Sequence, residues 1–413
     1  MSAAPPSPAL MDALRVVGAG APLELARVPV PRPGRGEVAV RVAFVGVCGT
    51  DLEIARGDMV YYTTGAARYP CTLGHEWSGV VCEVGEDVGD DDGGAAGAGT
   101  DGSGGAGAAP PQRGGAAARF AVGDCVVGEC SVGCALPSCA RCAAGAYHRC
   151  AARTETGIMN RDGAAAEVVV LPARALHRVA AHVPLRAAAL AEPLAVALNA
   201  CELARVGAGS VVAVLGDGPI GLLLLLVSKA LGAAAVFVVG ADDARLALAS
   251  RLGASGVVDA RDGAGDGAGA GAGAGGVPGA LLRLAAGRDI GVLLEASGSP
   301  DAVHAAVAAA APGATIVLQG LCGAGVGAPR SLDVDRVVVH DLCLRGALGS
   351  PGRWPAAIAL LESGRVAVEA LVTHELPLRD FERAFALVRA RACVKLLMVP
   401  GAPREEGGGG GGQ

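Results

Sequence analysis

The stretch that most constrains this chain is VVAVLGDGPIG, residues 211–221. Five apolar residues, the length of a short buried strand, run into Gly216-Asp217-Gly218-Pro219-Ile220-Gly221, and a long apolar helical pattern follows. Each glycine has a physical task. Gly216 permits the turn, Gly218 lets backbone approach a pyrophosphate, and Gly221 lets the helix pack on the strand. The helix N-terminus then faces the phosphates of a dinucleotide. In a chain with 65 glycines the G-x-G-x-x-G spacing alone carries little weight; its place between strand and helix makes it specific.

Around this turn, strand-like segments at 235–239, 256–259, 292–294 and 315–318 alternate with helical ones at 245–252, 279–286 and 301–310. That alternation is the pattern of an α/β, doubly wound sheet. At the end of the second strand of such a sheet an acidic residue normally accepts hydrogen bonds from the adenosine ribose. Here the strand ends Gly240-Ala241-Asp242-Asp243, with the acids displaced by two residues. Asp242 is the candidate for the ribose, while Gly240 leaves room for a 2′-phosphate that Arg245 would meet, so NAD and NADP both stay open.

The same run raises a second question, because residues 219–239 contain five consecutive leucines. A membrane span needs about 20 uninterrupted apolar residues, and Lys229 and Gly232 interrupt this one. A buried helix followed by a buried parallel strand is the better reading. A net charge of −6 without a basic cluster lacks the footprint of a nucleic-acid binder, and 3% aromatics leave few platforms for stacking bases. At 413 residues the chain holds roughly two to three domain lengths, most economically two unequal domains. Residues 1–10 read as a loose tail with no secretory signal, so the 13 cysteines point to a reducing compartment, the cytoplasm, with an organelle address still open.

The first part of the chain is built differently. Residues 14–17, 38–44 and 45–48 are short apolar segments separated by Pro and Gly clusters, the pattern of strands with tight turns. Cys48 closes the last of them. Residues 74–88, GHEWSGVVCEVGEDV, set His75 and Glu76 side by side before a valine-rich strand, and Glu192 lies far downstream at the head of a helical pattern. A thiolate, an imidazole and one or two carboxylates suit a zinc ion with a position open for substrate. Glu192 has a plainer reading, an acid favoured by the helix dipole. Tracts of Gly, Ala and Asp at 89–119 and 263–276, and the tail at 401–413, cannot bury enough apolar surface to fold and read as disordered insertions and an end.

The spacing Gly74-His75-Glu76-x2-Gly79-x5-Gly85-x2-Val88 resembles the zinc signature of the medium-chain alcohol, sorbitol and threonine dehydrogenases. The resemblance covers nearly the whole chain except the tails and the two Gly/Ala insertions. It implies a GroES-like, β-rich catalytic domain at 11–190, a Rossmann NAD(P)-binding domain at 191–345, and a return segment at 346–400 that completes the first domain. Cys48 and His75 become the anchoring ligands of a catalytic zinc. Glu76 is a third ligand or its partner, and Glu192, in the Glu-Pro-Leu step, exchanges with water beside the metal. Thr50 resembles the hydroxyl that begins a proton relay, although the histidine that continues it in threonine dehydrogenases is replaced by Glu53.

A structural zinc in this family is closed by four cysteines spaced C-x2-C-x2-C-x7-C. Cys139, Cys142 and Cys150 match the last three positions, and Leu136 stands at the first. Cys134 is the substitute thiolate, with Cys130 a more distant candidate. The remaining histidines, 148, 177, 182, 304, 340 and 374, lack metal spacing. The function expected is hydride transfer between a small alcohol or polyol and NAD(P), in a dimer or tetramer. The alternatives are a zinc-free reductase of the same superfamily and a dinucleotide-binding protein without turnover.

Overall fold

The computed structural model describes residues 9–88, 120–263, 275–321 and 332–402. The Gly/Ala tracts expected to loop out, apart from the ends of the second, lie outside these, as does the tail beyond Ala402.

Six parallel strands form one sheet in the order Gly256–Asp259, Ala235–Gly240, Val211–Leu215, Val292–Glu295, Thr315–Leu318 and Cys343–Gly346. Side chains alternate across each strand, so Val212 and Val214 enter one core while Ala213 and Leu215 enter another. The first core is filled by the helices Ala191–Leu203, Pro219–Ala230 and Trp354–Glu362, the second by Gly276–Ala285 and Pro300–Ala309. The leucine run lies here. Leu222, Leu223, Leu224 and Leu225 are each fully buried, contributing about 1.5–3 kcal/mol apiece. Among the described residues no helix is long and apolar enough to cross a membrane.

The second large sheet orders Leu176–Arg178, Cys125–Gly128, Glu76–Val84, Glu37–Val47, Lys395–Val399 and Val372–Pro377. Its central strand, Glu37–Val47, is a single strand where the sequence pattern divides it in two. Register shifts at Ala39/Val40 and Val42/Phe44 bend it. One edge of that strand pairs with Val168–Pro172 along its first half and with Lys395–Val399 along its second. The strand Lys395–Val399, far along the chain, is thereby built into the sheet that carries Cys48. The strand Cys125–Gly128 begins after a turn held by Gly123, at φ +101°, and by the Asp124 side chain, which accepts the Ala121 N–H. His177 lies on a strand, against Glu129 at 2.8 Å and stacked on Trp354.

Candidate active site

Two adjacent antiparallel strands bring the site together. Glu37–Val47 delivers Cys48 at its end, and Glu76–Val84 begins immediately after His75. Gly46 lies opposite Glu76 in the register, and a Cβ there would stand 2.5 Å from Glu76 Oε2; glycine makes the room for this carboxylate. Gly74, at φ +95°, lets the chain pass against Ala165, whose backbone nitrogen a Cβ would meet at 2.7 Å. The Cys48 sulfur, a ring nitrogen of His75 and a carboxylate oxygen of Glu76 consequently lie within 4.8 Å of one another.

Charged partners behind them fix the orientation. Lys395 Nζ is 2.5 Å from Glu76 Oε2 and 3.4 Å from the Val47 carbonyl. Asp51 accepts the Cys48 N–H on Oδ2 at 2.9 Å, and its Oδ1 faces His75 Nδ1 at 3.7 Å. Burial works against the imidazolium, but Asp51, then Cys48 and Glu192, push the His75 pKa well above its usual value. Burial opposes the charged form of Glu76 too, and Lys395 followed by His75 outweighs it, holding the carboxyl below its usual range.

Glu192 sits in the first turn of Ala191–Leu203, outside the three-residue grouping. It is thus not placed as an equal fourth ligand. Burial pushes its pKa up to about 7, against the pull of His75. Thr50 is half-buried in the first turn of Gly49–Arg56, a helix the sequence pattern does not announce, and Glu53 lies on the same helix with its pKa raised by burial.

Sequence reasoning missed Asp51, Lys395 and Glu155. Glu155 is buried, receives Arg153 Nε at 2.9 Å, and acts electrostatically on Glu192. Arg153 also donates to the Tyr61 hydroxyl at 3.1 Å. An acid three residues after Cys48 was the one legible signal among these.

The donor set fits a zinc ion. Sulfur, nitrogen and oxygen ligands are those of catalytic zinc, and a divalent cation would offset the carboxylates of Glu76, Glu192 and Asp51 in a buried site.

The cysteine lobe also comes together. Sγ atoms of Cys134, Cys139, Cys142 and Cys150 lie within 4.8 Å of one another, with Cys134 to Cys142 and Cys139 to Cys150 each at 3.8 Å. Zinc–sulfur bonds of about 2.3 Å in a tetrahedron give edges of about 3.8 Å. Ala135 adopts φ +56°, reversing the chain so that Cys134 points in, while Leu136 is 59% exposed. Cys130 lies elsewhere, its sulfur 4.0 Å from the Thr156 carbonyl.

At the glycine turn, a Cβ on Gly221 would collide with the Gly216 carbonyl, and one on Gly216 would meet Ala296 and Ser297 at 3.0 Å. Above Gly218 a Cβ would meet nothing within 4 Å, and no side chain caps the helix that starts at Pro219. Ile220 packs against the core at its base. The open space and uncapped N–H groups suit a pyrophosphate.

The tip of the second strand departs from expectation. Asp242 Oδ1 accepts the Arg245 N–H at 3.0 Å as a helix cap. Arg245 is buried and donates to the carbonyls of Arg391 and Cys393, at 3.2 and 2.7 Å. A guanidinium so anchored does not await a 2′-phosphate, and this part of the sequence reading is corrected.

The chain matches the family model of the zinc-binding dehydrogenases over residues 219–363, and that of the alcohol dehydrogenase GroES-like domain over 34–96 and 96–181. It is 30% identical over 385 residues to an L-threonine 3-dehydrogenase of Bacillus velezensis, covering 91% of this chain and 95% of that one. A sorbitol dehydrogenase of Halalkalibacterium halodurans is 28% identical over 378 residues, covering 90% and 94%. The crystal structure of 2R,3R-butanediol dehydrogenase from Bacillus subtilis superposes with a TM-score of 0.74 at 25% identity, covering 94% of this chain and 99% of that one. Sites, sheets and similarity along nearly the whole chain agree: this protein belongs to the zinc-dependent medium-chain dehydrogenases, oxidoreductases that transfer hydride between a CH–OH group and a nicotinamide dinucleotide.

Proposed function

We propose that this chain is an NAD(P)-dependent zinc dehydrogenase of small polyols or alcohols, with Cys48, His75 and Glu76 holding the catalytic ion and Glu192 standing by it. The observation that carries the reading is the convergence of those three donors within 4.8 Å in a buried site backed by Asp51 and Lys395. When bound, zinc supplies Lewis acidity toward the substrate oxygen.

The chain's residues do the rest. Asp51 orients the His75 ring and fixes the Cys48 backbone, as partners behind metal ligands do. Lys395 holds the Glu76 carboxylate. Thr50 receives the proton leaving the substrate hydroxyl, and Glu53, one turn further along the same helix face, is the next acceptor toward solvent. Gly216, Gly218 and Gly221, with Pro219 and Ile220, seat the pyrophosphate. The polar group of Tyr61, Arg153 and Glu155 near Glu192 favours a substrate with further hydroxyls over a plain alkanol. The relatives named as threonine, sorbitol and butanediol dehydrogenases act, by those names, on substrates of that polarity.

A second, structural zinc is assigned to Cys134, Cys139, Cys142 and Cys150. A homodimer or tetramer is supported by the edge strand Cys343–Gly346 and by the helix preceding it in sequence, which exposes Val338 and Val339 at 73% and 79%. Thiolate sites of this kind need a reducing compartment, and we place the chain in the cytoplasm. On the same proposal the chain divides into a catalytic domain at 11–190, a dinucleotide-binding domain at 191–345 and a segment at 346–400 that completes the first.

Metal analysis with a nicotinamide absorbance assay over alcohols and polyols, run with NAD and with NADP, tests this. Zinc with turnover supports it. Turnover that survives metal removal would favour the zinc-free reductase, and dinucleotide binding without turnover a non-catalytic protein.

A further inference from the structure

Asp217, the variable second position of the glycine turn, reaches across to the neighbouring strand. Its Oδ2 accepts the N–H groups of Ala241 and Asp242 at 2.8 and 2.9 Å, which fixes the carboxylate over the tip of Ala235–Gly240. The side chain is 12% exposed. Its Oδ1 faces Arg245 Nη1 at 4.0 Å, too far for a hydrogen bond, so lone pairs remain for a ligand.

The tip residue itself is Gly240, and the two positions are sterically one device. A Cβ on Gly240 would stand 2.5 Å from the Asp217 Cβ and 2.6 Å from its Cγ. The strand tip has no side chain because the carboxylate from the glycine turn occupies that space. In a doubly wound domain this tip is where an acid takes the adenosine ribose hydroxyls. Asp242, the nearest acid in the sequence, is occupied as a helix cap.

Charge at the tip points the same way. Arg245 is held by two carbonyls, and Arg261 is paired with both Asp259 and Asp243. A 2′-phosphate would meet the Asp217 carboxylate with both arginines already engaged. Resting on the dinucleotide site proposed above, we infer that Asp217 is the ribose-reading acid of this chain and makes it select NAD over NADP.

The test is calorimetric titration of the zinc-loaded full chain with ADP-ribose and with 2′-phospho-ADP-ribose, which reads binding without turnover. Charge-assisted hydrogen bonds of about 1.5–3 kcal/mol correspond to roughly 10–100-fold in affinity, so the native chain should prefer ADP-ribose by at least about tenfold. Asp217→Asn, which keeps the shape and a backbone acceptor, should cut that preference to within about threefold. The double variant Asp217→Gly/Gly240→Asp, which clears the Cβ at 217 and moves the acid to the strand tip, should restore it. A native preference for the 2′-phosphate, or a preference unchanged in Asp217→Asn, would overturn the inference. Failure of the native chain to bind either probe would instead remove the dinucleotide site on which it rests.

Discussion

Lys395 and Glu76 form an ion pair with both side chains 3% exposed, across 319 residues of sequence. The strand Lys395–Val399 thus supplies the counter-charge to a carboxylate of the candidate metal site. Removing one member of a buried pair leaves the other uncompensated, at a typical cost of 3–5 kcal/mol. Lys395→Met should therefore lower unfolding free energy by about that amount in urea denaturation. Lys395→Met/Glu76→Gln should recover a large part of it. Equal losses in the single and double variants would show that the pair carries no coupling.

Asp51 touches both anchoring residues, through the Cys48 N–H and toward His75 Nδ1. Changes to such partners typically cost 10–100-fold in metal affinity. Asp51→Asn should weaken zinc retention in competition with a chelator by about that factor. Cys48→Ala should lose the catalytic zinc and turnover altogether while leaving ADP-ribose affinity nearly intact. Retained activity in Cys48→Ala would contradict the ligand assignment.

The fold was legible where chemistry was local. Val211–Leu215 and the glycines after it declare a buried strand and a close helix because each requirement falls within a few residues. His75 and Glu76 stood out for the same reason. What stayed hidden depends on distant partners: Lys395 has meaning only beside Glu76, and Asp217 only beside Gly240. The edge strand Cys343–Gly346 was missed because its residues are largely exposed and carry no apolar pattern. The helix Gly49–Arg56 was missed because its N-cap is Cys48, which is not among the usual capping residues, so the box it forms with Asp51 carries no familiar sequence signal.

The cysteine lobe makes a prediction about register. Cys134 occupies the corner that family spacing gives to residue 136, by way of the left-handed Ala135. Cys134→Ser should lower zinc from two ions per chain to one, measured by elemental analysis after dialysis, and reduce thermal stability. Cys130→Ser should leave both ions in place, since its sulfur lies outside the lobe. Loss of an ion in Cys130→Ser but not in Cys134→Ser would reverse the assignment.

Glu192 links the site to pH. Its folded pKa of about 7 lies above the ordinary glutamate value of 4.5, because burial disfavours the carboxylate. The folded chain therefore holds a proton that the unfolded chain has released, throughout the window between those values. Stability from this group is fully present below pH 4.5 and is lost as pH rises through about 7. The slope within the window approaches 1.4 kcal/mol per pH unit. Glu192→Gln has no proton to lose. In chelator-treated protein, the unfolding free energy of the native chain should fall relative to Glu192→Gln between pH 4.5 and 7 and run parallel to it above about pH 8. With zinc restored, the difference should shrink, because a nearby cation favours the carboxylate at every pH in that range. Parallel curves across the whole window in the metal-free protein would place Glu192 in a wetter setting than its position in the first turn of Ala191–Leu203 gives it.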